Sequence, residues 1–191
     1  MLRRYADALT PWATKVASDM LTEVNARDIG AWRALGSEIS KGVMRDIMLA
    51  PAGEAMRELL GEQVTLIKSI PLDAAQRVHE LTLKGLEDST RANQIAKEIM
   101  RSGEVSKSKA MLIARTEVAR TGSILTETRA KHVGSDGYIW QTSRDGDVRQ
   151  SHKEMQGKLV KWSDPPTLDG MTGHAGCFPN CRCWAEVLLP D

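Results

Sequence analysis

Val133-Gly134-Ser135-Asp136-Gly137-Tyr138-Ile139-Trp140-Gln141-Thr142 is where this chain changes character. Upstream of it, apolar residues recur every three or four positions, the period of one helix face. From Gly137 the pattern becomes a short β-type run of aromatic and β-branched residues bounded by glycine and polar residues, which predicts a strand over 137–142. The fold class that follows is α+β: a mainly helical N-terminal body with a small β-containing C-terminal module.

Working upstream, Met111, Ala114, Val118 and Leu125 predict the buried stripe of a helix capped by Ser106 or Ser108. A shorter helix ahead of it carries Ile95 and Ile99, with Ser89 or Thr90 as cap and Gly103 as terminator. Further back, Leu9, Trp12, Val16 and Met20 form one stripe, and Trp32, Leu35, Ile39 and Val43 another, closed by Pro51. Met56, Leu60, Val64 and Ile67 form a third that ends before Pro71, and Leu72, Ala75 and Val78 begin a fourth. Downstream, 159–162 and 184–189 predict two more strands. Asp164-Pro165-Pro166, Gly170, Gly173 and Gly176 mark a long loop between them, a feature that is uncommon unless functional or tied down.

The chain has 191 residues, 26 basic and 25 acidic, for a net charge of +1. That balance excludes a strongly basic nucleic-acid coat protein and an acidic solvating protein. No apolar run reaches the ~18 residues of a membrane span, and the N-terminus lacks the pattern of a secretory signal. Only eight residues are aromatic, so the C-terminal module of roughly 55 residues is expected to have a small core in need of a metal. Charge is uneven: residues 101–131 carry seven basic and three acidic groups. Lys107, Lys109, Arg120 and Arg129 are therefore candidate contacts for phosphate or an acidic partner, against the alternative of a solvated helix face.

The densest chemistry lies at His174-Ala175-Gly176-Cys177-Phe178-Pro179-Asn180-Cys181-Arg182-Cys183, one imidazole and three thiols in ten residues. Clustered thiols with no cysteine elsewhere point to a metal rather than a disulfide framework. Thiolate and imidazole are zinc donors, and a Cys-x-Cys pair in extended chain projects both sulfurs to one side. His152 is a further candidate ligand. His79 and His132 read as solitary helix-surface histidines. No catalytic constellation is complete: His152, His174 and Asn180 stand in the wrong order for a His-Asn-His nuclease, Asp145, Asp147 and Asp164 complete no calcium loop, and no phosphate loop or nucleophile elbow is present.

In order, Ile113-Ala114-Arg115-Thr116-Glu117, Tyr138-Ile139-Trp140, Asp147-x-Arg149-x-x-His152, Gly157, His174-x-Gly176 and Asn180-Cys181-Arg182-Cys183 resemble the phage Mu F-like minor head proteins, also called head morphogenesis proteins. The resemblance runs from about Ser106 to Leu189. It divides the chain into a helical body, 1–105, and a Mu F-like C-terminal domain, 106–191. It departs from the family pattern at Ala175, where proline is common.

The resemblance implies a metal site of His152, His174, Cys181 and Cys183, with Cys177 competing for one place and zinc as the ion. It implies supporting or structural roles for Asp147, Arg149, Arg115 and Glu117. Asp147 is a candidate to hold the second ring nitrogen of a ligand histidine. Glu117, near the apolar stripe, is expected in an ion pair joining its helix to the C-terminal module.

The function it implies is that of a minor head protein of a tailed bacteriophage or prophage, a virion component that passes through the host cytoplasm during assembly. It would be associated with the portal protein, needed for head assembly and DNA packaging, and in some members ejected with the genome. The major capsid protein and double-stranded DNA are the further partners implied, with no membrane. No enzymatic activity is expected. The alternatives are a metal-dependent enzyme acting on nucleic acid and a DNA-binding ejected module.

Overall fold

The computed structural model describes residues 2–35, 39–87 and 92–190. In chain order the elements are α1 (Leu2–Ala34), α2 (Lys41–Leu49), α3 (Ala52–Glu87), α4 (Ala92–His132), β1 (Gly137–Thr142), α5 (Gln150–Lys153), β2 (Leu159–Lys161), β3 (Thr167–Leu168), β4 (Met171–Thr172) and β5 (Cys183–Leu188). They form two compact units. One holds residues 1–18 and 60–114, the other 19–59 and 115–191, so α1, α3 and α4 each contribute a stretch to both.

The first unit is helical. Ala13 and Ala17 of α1 pack on Ile67, Leu60 and Val64 of α3. The expected stripe on α1 is thus displaced by one residue: Trp12 and Val16 are exposed, and Ala13 and Ala17 are buried instead. Lys68 Nζ donates to Thr10 Oγ1 (2.7 Å), Arg77 donates to Ser106 Oγ (2.7 Å), and Lys109 pairs with Asp73. Pro71 does not end a helix; α3 runs through it. Proline removes one ladder bond there, and the Ser69 hydroxyl takes up the nearby Leu66 carbonyl (2.7 Å). Gly103 likewise lies inside α4 rather than at its end, so the two helices expected around it are one. The proposed caps Ser89 and Thr90 lie outside the described residues, as do the side chains of Ile95 and Ile99.

The second unit is built on an antiparallel sheet of order β2-β1-β5. β1 lies between both partners, with Gly137 opposite Lys161 on one side and Leu188 on the other. Glycine is required at 137, because a Cβ there would stand 2.5 Å from the Val160 carbonyl oxygen. Tyr138, Trp140 and Thr142 alternate onto the buried face. The three expected strands are all present, but the loop between β2 and β5 is not structureless. β3 and β4 form a hairpin around Asp169-Gly170, both at positive φ (52° and 78°), as a two-residue type I′ turn demands.

The aromatic scarcity is a matter of distribution. Trp32, Tyr138, Trp140, Trp162 and Phe178, five of the eight aromatic residues, meet in one core with Ile47, Val160, Ala130 and Ala175. The stripe Trp32–Val43 is divided between α1 and α2; α2 begins at an N-cap where Ser40 Oγ accepts from Val43 N (3.2 Å). On α4, Leu125 is fully buried, whereas Met111 and Val118 are exposed. The buried residues of this helix are mixed: Glu117, Thr121, Ser123 and Arg129 lie inside together with Leu125 and Ala130.

Candidate metal centre

The loop that follows β4 is made of two turns. In His174-Ala175-Gly176-Cys177 the Cys177 N–H donates to the His174 carbonyl (3.0 Å), with Gly176 at φ 92°. In Phe178-Pro179-Asn180-Cys181 the Cys181 N–H donates to the Phe178 carbonyl (3.0 Å), with Asn180 at φ 53°. Both are type II arrangements, which need a left-handed third residue and favour proline second. Ala175 occupies the position where the family resemblance leads one to expect proline, and the turn forms with alanine.

Helix α4 seats these turns. Thr116 Oγ1 accepts from Asn180 N (2.9 Å), and Ser123 Oγ donates to the Ala175 carbonyl (2.7 Å). Gly176 lies on Ala119 and Ser123, where a Cβ would come within 3.3 Å of the Ala119 oxygen. Thr116, Ala119 and Ser123 follow helical spacing; Thr116 lies in the run 113–117 that carries the family resemblance, but the sequence assigns no role to any of the three, and the signal was small and hydroxyl residues three and four apart on one face.

The second turn and β5 deliver Cys181 and Cys183 to the same point as His152 of α5. Nδ1 of His152 lies 3.5 Å from each sulfur. All three residues are buried, and together they form a group able to hold a metal ion. A tetrahedral ion with arms of about 2.0 Å to nitrogen and about 2.3 Å to sulfur has an N···S edge of about 3.5 Å, so the spacing fits. The His152 ring is wedged edge-on between Trp140 (centroids 5.7 Å apart) and Phe178 (4.9 Å).

The electrostatics fit as well. A hydrogen bond from the Cys183 thiol pulls Cys181 down to about 5, helped by the Cys183 N–H (3.4 Å from the sulfur), while the same sharing and burial push Cys183 far up. The pair thus holds one thiolate readily and resists a second negative charge unless a cation compensates it.

The remaining candidates are placed elsewhere. His174 is not in the group: its Nδ1 is 3.2 Å from the Tyr138 hydroxyl, which accepts from Ala175 N (3.1 Å), and its Nε2 is 3.9 Å from Glu127. Burial holds this imidazole below its ordinary value. Cys177 points to Ser123 Oγ (3.4 Å), with its thiol pushed up by burial. Asp147 does not hold a ring nitrogen of His152; it pairs with Arg182 (3.0 Å), and His152 Nε2 is without a hydrogen-bond partner among the described residues. Arg149 donates to the Pro179 carbonyl (2.6 Å).

Of the basic residues, Lys107 and Arg115 are exposed. Arg120 stands 3.4 Å from the buried Glu117, one turn away on the same helix. Arg129 presents nothing outward: it is 3% exposed and paired with Asp28, with Asn25 Oδ1 at 2.7 Å. An arginine read from sequence as a surface contact is here the cationic half of a buried pair, because positive charge on a helix says nothing of which face it occupies.

Among known proteins, an uncharacterized protein of Haemophilus influenzae is 31% identical over 138 residues, covering 72% of this chain and 30% of that protein. The NAD(+)–arginine ADP-ribosyltransferase EFV of Enterococcus faecalis is 33% identical over 122 residues, 58% of this chain and 25% of that protein. The chain therefore spans less than a third of the length of these relatives. No solved structure matches it. The profile of phage Mu protein F-like proteins matches residues 76–186, a span that takes in the seat on α4, β1, α5 and all three members of the triad. The chain belongs to the phage Mu protein F-like family.

Proposed function

We propose that this chain is a non-enzymatic minor head protein of a tailed phage or prophage, and that its second unit is held together by one zinc ion on His152, Cys181 and Cys183. Family membership supports the role in head morphogenesis. The observation that carries the zinc reading is the convergence of one imidazole and two thiols, all under 8% exposed, at the spacing of a tetrahedral ion. Two thiolates and an imidazole favour zinc over hard cations. The three donors leave the fourth position of a tetrahedral ion to another group, and their burial is what favours an ion that braces the fold. When bound, the ion supplies the positive charge that lets both sulfurs ionise. The chain's own residues do the rest: Thr116 and Ser123 hold the two turns, and Trp140 and Phe178 fix the plane of the His152 ring.

The partner in this reading is the portal, with the major capsid protein and packaged DNA as neighbours and the virion as destination. Lys107 and Arg115 of α4 are exposed and are the candidate cations for such contacts. Among the described residues no helix is long and apolar enough to cross a membrane. The test is a phage lacking this chain, complemented in trans. Loss of filled heads, restored by the wild-type chain, with the chain found in purified particles, is the expected result. Normal titres of filled heads without it would overturn the reading.

A further inference from the structure

The two halves of the triad come from segments that share no backbone pairing at the ligands themselves. Cys183 opens β5 opposite Thr142, which fixes the cysteine half to the end of β1. His152 stands in the excursion that follows β1, over residues 143–156. The base of that excursion is closed where Gln156 Oε1 accepts from both the N–H (2.9 Å) and the hydroxyl (2.8 Å) of Thr142. Its far side is closed by two arginines that cross in opposite directions. Arg149, three residues ahead of His152, reaches the Pro179 carbonyl in the turn that carries Cys181 (2.6 Å). Arg182, between the two cysteines, reaches back and spreads its terminal nitrogens over Asp145 (2.9 Å) and Asp147 (3.0 Å). Asp145 is braced to receive it, accepting from Ser143 Oγ (3.0 Å) and from Asp147 N (3.1 Å).

We propose that Arg149 and Arg182 are positioning residues of the metal centre, a pair of crossed straps that hold the histidine half against the cysteine half before an ion arrives. The proposal rests on the reading of the triad as a metal centre. It explains why each ligand-bearing motif contains an arginine whose guanidinium bonds the opposite segment. An unstrapped excursion would have to be ordered at the moment of binding, and that ordering would be subtracted from affinity. Planar, two-pronged guanidinium suits both tasks, a carbonyl on one side and two separate carboxylates on the other.

Cobalt(II) titration of the full chain, stripped of metal, tests this. The wild type should take up one equivalent with sulfur-to-cobalt charge-transfer absorption. Arg149→Met and Arg182→Met should each bind about tenfold more weakly, the scale on which outer partners of metal ligands act. In a His152→Ala background the same arginine substitutions should change affinity by less than about twofold, because the half they position no longer carries a ligand. The Arg182 side chain is 43% exposed, and circular dichroism and the melting midpoint of the stripped variants check that they fold. Wild-type affinity in both arginine variants, or an equal loss with and without His152, would overturn the proposal. Failure of the wild-type chain to bind cobalt would overturn the metal centre itself, a distinct result.

Discussion

Nδ1 of His152 and Sγ of Cys183 are separated by 31 residues of sequence and by 3.5 Å in space. Between them lie β2, the β3–β4 hairpin and both type II turns, so the contact is a product of the whole second unit. If the unit closes around an ion at this point, removing one donor should loosen all of it. Cys181→Ser is expected to lower the melting midpoint and to abolish the further drop that a chelator causes in the wild type. Calorimetry with and without chelator checks this, since binding to the folded state alone shifts the midpoint by mass action. A chelator without effect on the wild type would contradict it.

Asp28 and Arg129 form a buried pair between α1 and α4, with Thr126 Oγ1 also donating to Asp28 (2.8 Å). Burial raises the Asp28 carboxyl above its ordinary value of 3.8, against the lowering pull of Thr126 and Arg129. The folded state therefore keeps this proton longer than the unfolded chain does. Stability is full below 3.8 and falls as pH rises from there to the raised value. Arg129→Met should cost about 3–5 kcal/mol near neutral pH, the scale for an orphaned buried charge, and should steepen that fall. Asp28→Leu combined with Arg129→Met should recover most of the loss. Urea unfolding at pH 4 and pH 7 measures both; an additive double variant would contradict it.

His174 behaves in the opposite sense. Its imidazole is held low by burial, so the folded state binds a proton less readily than the unfolded chain. Stability from this group is complete above its ordinary value of 6.5 and is lost as pH falls below it. Protonation also removes the acceptor that faces the Tyr138 hydroxyl. Tyr138→Phe should cost about 1–3 kcal/mol, because Ala175 N then loses a buried partner. His174→Asn should flatten the stability profile between pH 5 and pH 7. Unfolding curves across that range decide the matter, and an unchanged slope would contradict the assignment.

Gly176→Ala should unseat the loop from α4. Gly176 sits at φ 92°, and an added Cβ would meet Ser123 at 3.2 Å and the Ala119 oxygen at 3.3 Å. A left-handed non-glycine residue costs about 1–3 kcal/mol, and the clash adds to it. Chemical denaturation should show that loss, with cobalt affinity reduced alongside.

Much of this was legible in the sequence, and the exceptions share a cause. β1 carries its own period and its own glycine, so its ends could be read directly. The hairpin at Asp169-Gly170 was equally local, but its strands are two residues each, too short for any period to register. Pro71 and Gly103 were read as ends because propensity favours it, while packing carried α3 and α4 through them. The Cys-x-Cys pair and His152 could be named as candidate donors from chemistry, and the structure brings these three together. His174 and Cys177 could not be separated from them, since what removes them is contact with Tyr138 and Ser123, 36 and 54 residues away. Arg129 failed for the same reason: its partner Asp28 lies 101 residues earlier.

Zinc content bears most directly on the central claim. Chain purified without chelator should contain about one zinc, and absorption at the zinc edge should show two sulfurs at about 2.3 Å and one imidazole nitrogen at about 2.0 Å. Cys181→Ser should lose the ion. Zinc far below one per chain in the wild type, or full zinc content retained by Cys181→Ser, would contradict the account.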